Sequence, residues 1–297
     1  MIVVRPLRDD EIDLYLAIRN RVHPQMPMPR EVVVDNRASA DHLDLVAELD
    51  GLPVGVASAE VYGGAPNGDL AFLTIRVPRE HRRQGAGTAL HRRASEHARM
   101  LGKARFYCVV RGDDADSLGY YGAHGYAEVG RMQDALLELE GFEAGPAELE
   151  IVPITLELER GVYEVAQEAD ADIPSGEPTD SGSFEQWRER FLASALVLRD
   201  LSFAALLDGR PVGYAILGRH DAETAENWMT GVARSARGRG VALALKRHQA
   251  AAARAAGWRR LRAQNDLANA PMLRVNEKLG YERKFEWIHL TGPLLEG

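Results

Sequence analysis

The stretch RRQGAGTAL at residues 82–90 sets two arginines and a run of small residues where the chain passes from an apolar strand into a helical pattern. An altered version, RGRGVALAL, occupies residues 237–245. Each follows a short apolar run ending in valine, Val77 and Val232. The spacing Arg-x-x-Gly-x-Gly/Ala is kept, with Arg82, Gly85 and Gly87 in one copy and Arg237, Gly240 and Ala242 in the other. Small residues at a helix N-terminus leave backbone N–H groups unpaired, where the helix dipole favours an anion. Glycine lets that backbone approach a phosphate without a Cβ in the way. Two such cradles point to two sites for phosphate-bearing ligands, or to one site and its decayed copy.

The elements that must position these loops repeat as well. Val77 and Val232 lie 155 positions apart, as do Gly85 and Gly240, Gly102 and Gly257, and Gly125-Tyr126 and Gly280-Tyr281. Upstream, the DGLPVG of residues 50–55 matches the DGRPVG of residues 208–213, slipped by three as a loop insertion would do. A shared register over this distance marks a tandem duplication. Strands are expected at 2–5, 44–49, 54–61, 70–77 and 106–110, with helices at 11–21 and 115–123 and two closing strands to about 139. Ala86, Ala89, Leu90, Ala94, Ala98 and Leu101 recur at helical spacing before Gly102, which reads as a long helix and its stop. The second half repeats this order, with helices after 155, over 184–195, 241–256 and 270–278. Each half is then an α+β domain with a mixed, mostly antiparallel central sheet flanked by helices. The expected division is 1–142, a glutamate-rich linker at 143–149, and 150–297.

Bulk properties bound the function. A chain of 297 residues accommodates two domains that each bury a core. No apolar stretch approaches the roughly 20 residues that span a bilayer. The single cysteine, Cys108, excludes an intrachain disulfide and a cysteine-based metal cluster. With no signal-peptide pattern at the N-terminus, a cytoplasmic location is expected. Cys108 lies in an apolar run and reads as a small core residue. The nine histidines show no metal-ligand spacing, so no metal is expected. A net charge of −8 argues against nucleic acid as a partner and mildly suits a cationic substrate. Basic residues nevertheless gather at the two loops, where a polyanion would be met.

Strand, Arg-x-x-Gly-x-Gly/Ala, long helix, strand, short helix and Leu-Gly-Tyr together resemble the acyl-CoA-binding core of the GNAT N-acetyltransferase superfamily, here in tandem. The resemblance implies acetyl-CoA as cosubstrate and an amine of a small molecule as acceptor, which attacks the thioester carbonyl directly in a ternary complex. It implies pyrophosphate cradles at Arg82, Arg83, Gln84, Gly85, Ala86, Gly87 and Thr88, and at Arg237, Gly238, Arg239, Gly240, Val241, Ala242 and Leu243. Val77 and Val232 end the strands that open for the pantetheine arm. The family's short-helix motif, Asn-x-x-Ala-x-x-Tyr-x-x-x-Gly-Phe in outline, is divided between the copies. The first keeps Tyr121, four before Gly125, but has Asp114 at the asparagine position. The second keeps Asn269 and carries Asn276 in place of the tyrosine.

Tyr121 is therefore the candidate proton donor to the leaving thiolate, and backbone N–H groups near Val77 or Val232 are candidate oxyanion donors. Glu60, Asp69, Glu223 and Glu226, or a water chain, are the candidates for a general base. Trp187, Tyr214 and Trp228 are read either as an acceptor-pocket lining or as core. The loops 22–36 and 170–183 are expected to set the acceptor. The competing reading is a non-catalytic acyl-CoA-binding or scaffold protein, and a monomer and a homodimer both remain open.

Overall fold

A computed structural model describes residues 1–63, 68–145, 149–173 and 182–296. Its internal contacts divide the chain into two units, residues 1–129 with 288–297, and residues 130–287. The expected division is thus corrected at both ends. The first unit closes before residue 142, and the last ten residues of the chain belong to it. Residues 146–148 of the expected linker lie outside the described residues.

In the first unit β1 (Ile2–Pro6), β2 (Leu43–Leu49), β3 (Leu52–Val61) and β4 (Leu70–Arg76) form an antiparallel meander. Next to β4 lies the parallel β5 (Arg105–Arg111), and next to β5 the final strand, β12 (Glu282–Pro293). Period-2 alternation divides the sheet into two faces. Leu45, Ala47, Ala57, Ala59 and Leu73 pack with α3 (Ala86–Met100), whose Leu90, Ala94 and Ala98 are fully buried. Val46 and Val56 point the other way, to Ile12 and Tyr15 of α1 (Ile12–Val22) and Val33 of α2 (Arg30–Arg37). Expected loop residues 30–36 are therefore helical. Pro29 precedes the first turn, where its missing N–H costs nothing. Ile288 and Leu290 of β12 join the α3-side core with Phe106, which ties the C-terminus to this unit.

The second unit follows the same plan with β7 (Glu150–Pro153), β8 (Phe203–Leu207), β9 (Arg210–Arg219), β10 (Thr224–Val232), the parallel β11 (Arg260–Asp266) and antiparallel β6 (Ala127–Glu138). The two closing strands expected before residue 139 are one long strand, β6. Its residues Ala135 and Leu137 share a core with Leu261 and Leu279. Each unit thus takes its last strand from the segment that follows the other unit's α4 (Ala115–Ala123) or α8 (Ala270–Leu279). β7 was not foreseen. The helix after Thr155 is α5 (Glu159–Asp170), that after Ser183 is α6 (Phe184–Phe191), and α7 (Val241–Ala255) matches α3 in length.

Candidate active site

The parallel ladder between β4 and β5 covers only Leu70↔Arg105, Ala71↔Phe106 and Phe72↔Tyr107. Beyond it the strands diverge, and a cleft of about 330 Å³ opens between Ile75, Arg76 and Val77 on one side and Val109 and Val110 on the other. β10 and β11 part in the same way after Asn227↔Ala263, beside a bulge at residues 227–229. Strand edges that part leave backbone donors without ladder partners, which suits a carbonyl that gains negative charge.

Both loops turn into their helices through left-handed backbone. Gly85 (φ 90) and Gly240 (φ 77) cap α3 and α7, and two residues earlier Arg83 (φ 61) matches Gly238 (φ 75). A non-glycine residue in that region costs roughly 1–2 kcal/mol, so Arg83 is held there by the turn around it. Nothing lies within 4 Å of where a Cβ would stand on Gly85, Gly87, Gly238 or Gly240, so each cradle is open to a phosphate. Val77, Arg82, Arg83, Gly85, Gly87, Thr88 and Tyr121 line the first cleft. Val232, Arg237, Gly238, Gly240, Val241, Ala242, Leu243 and Asn269 line the second. Gln84, which donates to the Glu80 carbonyl, and Arg239 lie outside these linings, and Ala86 is buried beneath its loop.

The paired arginines brace the loops. Arg82 Nε donates to the Val77 carbonyl at 3.1 Å, and Arg237 Nε to that of Val232 at 3.2 Å. Arg82 also forks onto Asp114 at 3.0 and 3.1 Å, whose carboxylate caps α4 through Ser117. Partial burial works against the Asp114 charge, yet Arg82 and Ser117 hold it down at about 2. Arg237 pairs with Asp172 at 2.7 Å. Asn269 spends its side-chain carbonyl on Met272 N as the cap of α8.

Tyr121 lines the first cleft, 5% exposed. Burial pushes its phenol well above the usual value, and the Cys108 thiol beside it is pushed up to about 12 by the same cause. Cys108 is core, as read. At the matching place in the second unit Asn276 is buried, and its Nδ2 donates to Asn265 at 2.5 Å.

The faces turned toward α1 and α5 differ most. In the first unit the register pairs Val56↔Arg76, Ser58↔Thr74 and Glu60↔Phe72 place polar groups there. The Ser58 and Thr74 hydroxyls meet at 2.7 Å. His42 contacts Asp44 at 3.0 Å and Glu60 at 2.7 Å. Burial opposes its charge, but those two carboxylates push His42 up to about 9. These groups line a cavity of about 70 Å³ with Tyr15 and Arg19 of α1. In the second unit the same register reads Tyr214↔Gly231, Ile216↔Met229 and Gly218↔Glu226. A Cβ on Gly231 would stand 2.4 Å from the Tyr214 ring, and one on Gly218 would stand 2.2 Å from Trp228. Trp187 and Tyr214 are fully buried in an apolar cluster, so core is the reading that holds for them.

Of the candidate bases, Glu60 alone of the four lines a described cavity. Asp69 is forked by Arg105, and Glu223 is paired with Arg259 and Arg260. Glu226 lies near His220 and Arg262. The sequence reading missed Arg19, His23, His42, Asp44, Ser58, Thr74 and Arg76. Ser58, Thr74 and Arg76 carry one sequence signal, polar residues at alternate positions of otherwise apolar β3 and β4. Residues 174–181 of the second expected acceptor loop lie outside the described residues.

The chain matches the Acetyltransferase (GNAT) family over residues 10–126 and again over 162–281. It belongs to that family, as a tandem member. The family generally uses acetyl-CoA, and acetyl-CoA-dependent acetyl transfer is its general activity. No curated protein matches the chain. Among solved structures, a GCN5-related N-acetyltransferase from Sphaerobacter thermophilus is 20% identical with a TM-score of 0.77, covering 100% of this chain and 96% of that one. A tandem GNAT protein from the clavulanic acid biosynthesis pathway gives the same identity and score, with both chains covered completely. A glucosamine N-acetyltransferase region of a fungal multi-domain GH3 β-N-acetylglucosaminidase is 16% identical with a TM-score of 0.78, over 98% of this chain and 38% of that one. At these identities the likeness is one of fold. No helix among the described residues is long and apolar enough to cross a membrane.

Proposed function

We propose that the first unit transfers an acetyl group from acetyl-CoA to an amine of a small molecule, while the second binds CoA or supports the fold without turnover. One observation carries this division. The first unit joins a cleft, a buried tyrosine and a polar cavity, whereas the second has the cleft but an asparagine and an aromatic plug.

The loop amides of residues 82–88 would hold the pyrophosphate, and the parted edge of β4 would receive the thioester carbonyl. The amine nitrogen forms a bond to the acetyl carbon as the C–S bond breaks. The sulfur takes a proton from Tyr121, and the amine's surplus proton passes to solvent or to a carboxylate such as Glu60. A phenol with a raised pKa is a weak acid toward a solvated thiolate. Cys108 supports the match, because burial beside Tyr121 raises a thiol as well. An incipient thiolate in that cleft would be basic enough to draw the proton.

Incubation with acetyl-CoA and a broad amine panel, read by release of free thiol, tests the reading. Acceptor-dependent release is expected. CoA affinity without release for any amine would leave the chain a CoA-binding protein.

A further inference from the structure

The α1-facing side of the first sheet carries two arginines without ion-pair partners, Arg19 buried and Arg76 partly buried. Arg19 is 8% exposed, and its Nη1 donates to neutral oxygens, the Met26 carbonyl at 2.8 Å and Asn20 Oδ1 at 3.2 Å. Arg76 gives Nη1 to the Ile75 carbonyl at 3.0 Å, while its Nε is buried with no hydrogen-bond partner. Neither makes an ion pair among the described residues. Asp114, the carboxylate nearest in influence to Arg76, is already taken by Arg82 and the α4 cap. Burial lowers Arg76, and burial together with Arg76 draws Arg19 down to about 10. His23 is pushed down to about 3 by burial and then by Arg76 and Arg19, so it stays neutral.

Two like charges left unpaired in an interior are costly, and a ligand anion removes that cost. Arg76 lines the cleft that holds Tyr121, and Arg19 lines the smaller polar cavity. We infer that the acceptor is an anionic amine, a small molecule whose carboxylate is received by Arg76 and Arg19 while its amino group is presented beside Tyr121. This rests on the acetyl-transfer reading and names its acceptor class. The acidic net charge suits a cation, but surface carboxylates are screened within about 10 Å, whereas buried guanidiniums act at short range in low dielectric.

The test compares amino acids with their primary amides, their decarboxylated amines and aminoalkyl phosphonates, each with acetyl-CoA. An acid is expected to exceed its amide in kcat/KM by about 10- to 100-fold, the span of a charge-assisted hydrogen bond. Arg76→Gln should bring that ratio toward one, and Arg76→Lys should keep part of it. Equal kcat/KM for acids and amides overturns the inference. So does an Arg76→Gln variant that slows acids and amides alike, since that places Arg76 on the thioester. A preference for phosphonates keeps the anion and overturns the carboxylate.

Thermal shift in the presence of CoA separates this from the transfer reading. An acid that raises the Tm of the wild type but not of Arg76→Gln sustains the anion site even if no amine releases thiol. Absence of both shift and release for every acid overturns the site. Arg76→Gln itself is expected to fold with an unchanged or higher Tm, because it removes a partly buried charge that has no ion-pair partner.

Discussion

Two copies of one plan have spent the same face of the sheet differently. Where the first unit sets Ser58, Thr74 and Glu60 around a cavity and Arg76 in the cleft with Tyr121, the second sets Ile216, Met229, Gly218 and Gly231 under Tyr214, Trp228 and Trp187. The first carries the cost of unpaired charge and keeps a polar cavity. The second gains aromatic packing at the matching place. The glycine loops, which depend on backbone shape, are common to both. In the proposed division a few side chains carry the chemistry, whereas each loop is tied to helix, strand and arginine brace.

The largest expected break of this contrast is Tyr121→Phe. It should lower turnover by roughly 10²–10⁴-fold while acetyl-CoA affinity, read by calorimetry, holds. Asn276→Ala should leave turnover nearly unchanged. An essential Asn276 with a dispensable Tyr121 would move the active site to the second unit.

Next comes Trp187→Ala, which empties the aromatic plug. A loss of about 3–5 kcal/mol in stability is expected, with turnover per folded molecule unchanged. A collapse of kcat at preserved stability would show that the plug takes part in catalysis.

Matching positions on α3 and α7 give a third comparison. His91 meets the Tyr120 and Tyr126 hydroxyls at 3.1 and 2.9 Å, and burial pushes it down to about 3, so it is packed neutral. Lys246 stands 155 positions later, 2% exposed, bonded to Asn227 at 2.9 Å and pushed down to about 7 by burial. Its folded pKa is below its unfolded one, so the folded state binds fewer protons and stability climbs between about pH 7 and 10.5. Lys246→Met should flatten that slope and stabilise the neutral-pH protein by about 1–4 kcal/mol. A less stable variant with the slope intact would contradict the burial argument.

Gly85→Val and Gly240→Val should each weaken CoA binding in its own unit, by about tenfold, since a β-branched residue is strained at positive φ and its side chain projects into the cradle. Two-site calorimetry in which both variants bind as the wild type does would remove the loops from the CoA site. The smallest effect belongs to His42. Its folded pKa lies above its unfolded value, so its contribution is whole below about 6.5 and disappears as pH rises through about 9. The Tm gap between wild type and His42→Asn should close over that window.

The duplication, the glycine loops, most of the order of strands and helices, and Tyr121 against Asn276 could be read from the chain. Each rests on local chemistry, such as glycine at positive φ, helical spacing or a residue four before a terminating glycine. Which unit owns β6 and β12 could not be read, because alternation gives a strand its faces but not its neighbour. The polar face beneath α1 was hidden for a related reason. Arg19, His42, Asp44, Glu60 and Arg76 sit on four different elements, and no spacing joins them. Only the pairing of β2, β3 and β4 beneath α1 brings Arg19, His42, Asp44 and Glu60 to one cavity and sets Arg76 in the cleft with Tyr121, and only burial there leaves Arg19 a charge without an ion-pair partner.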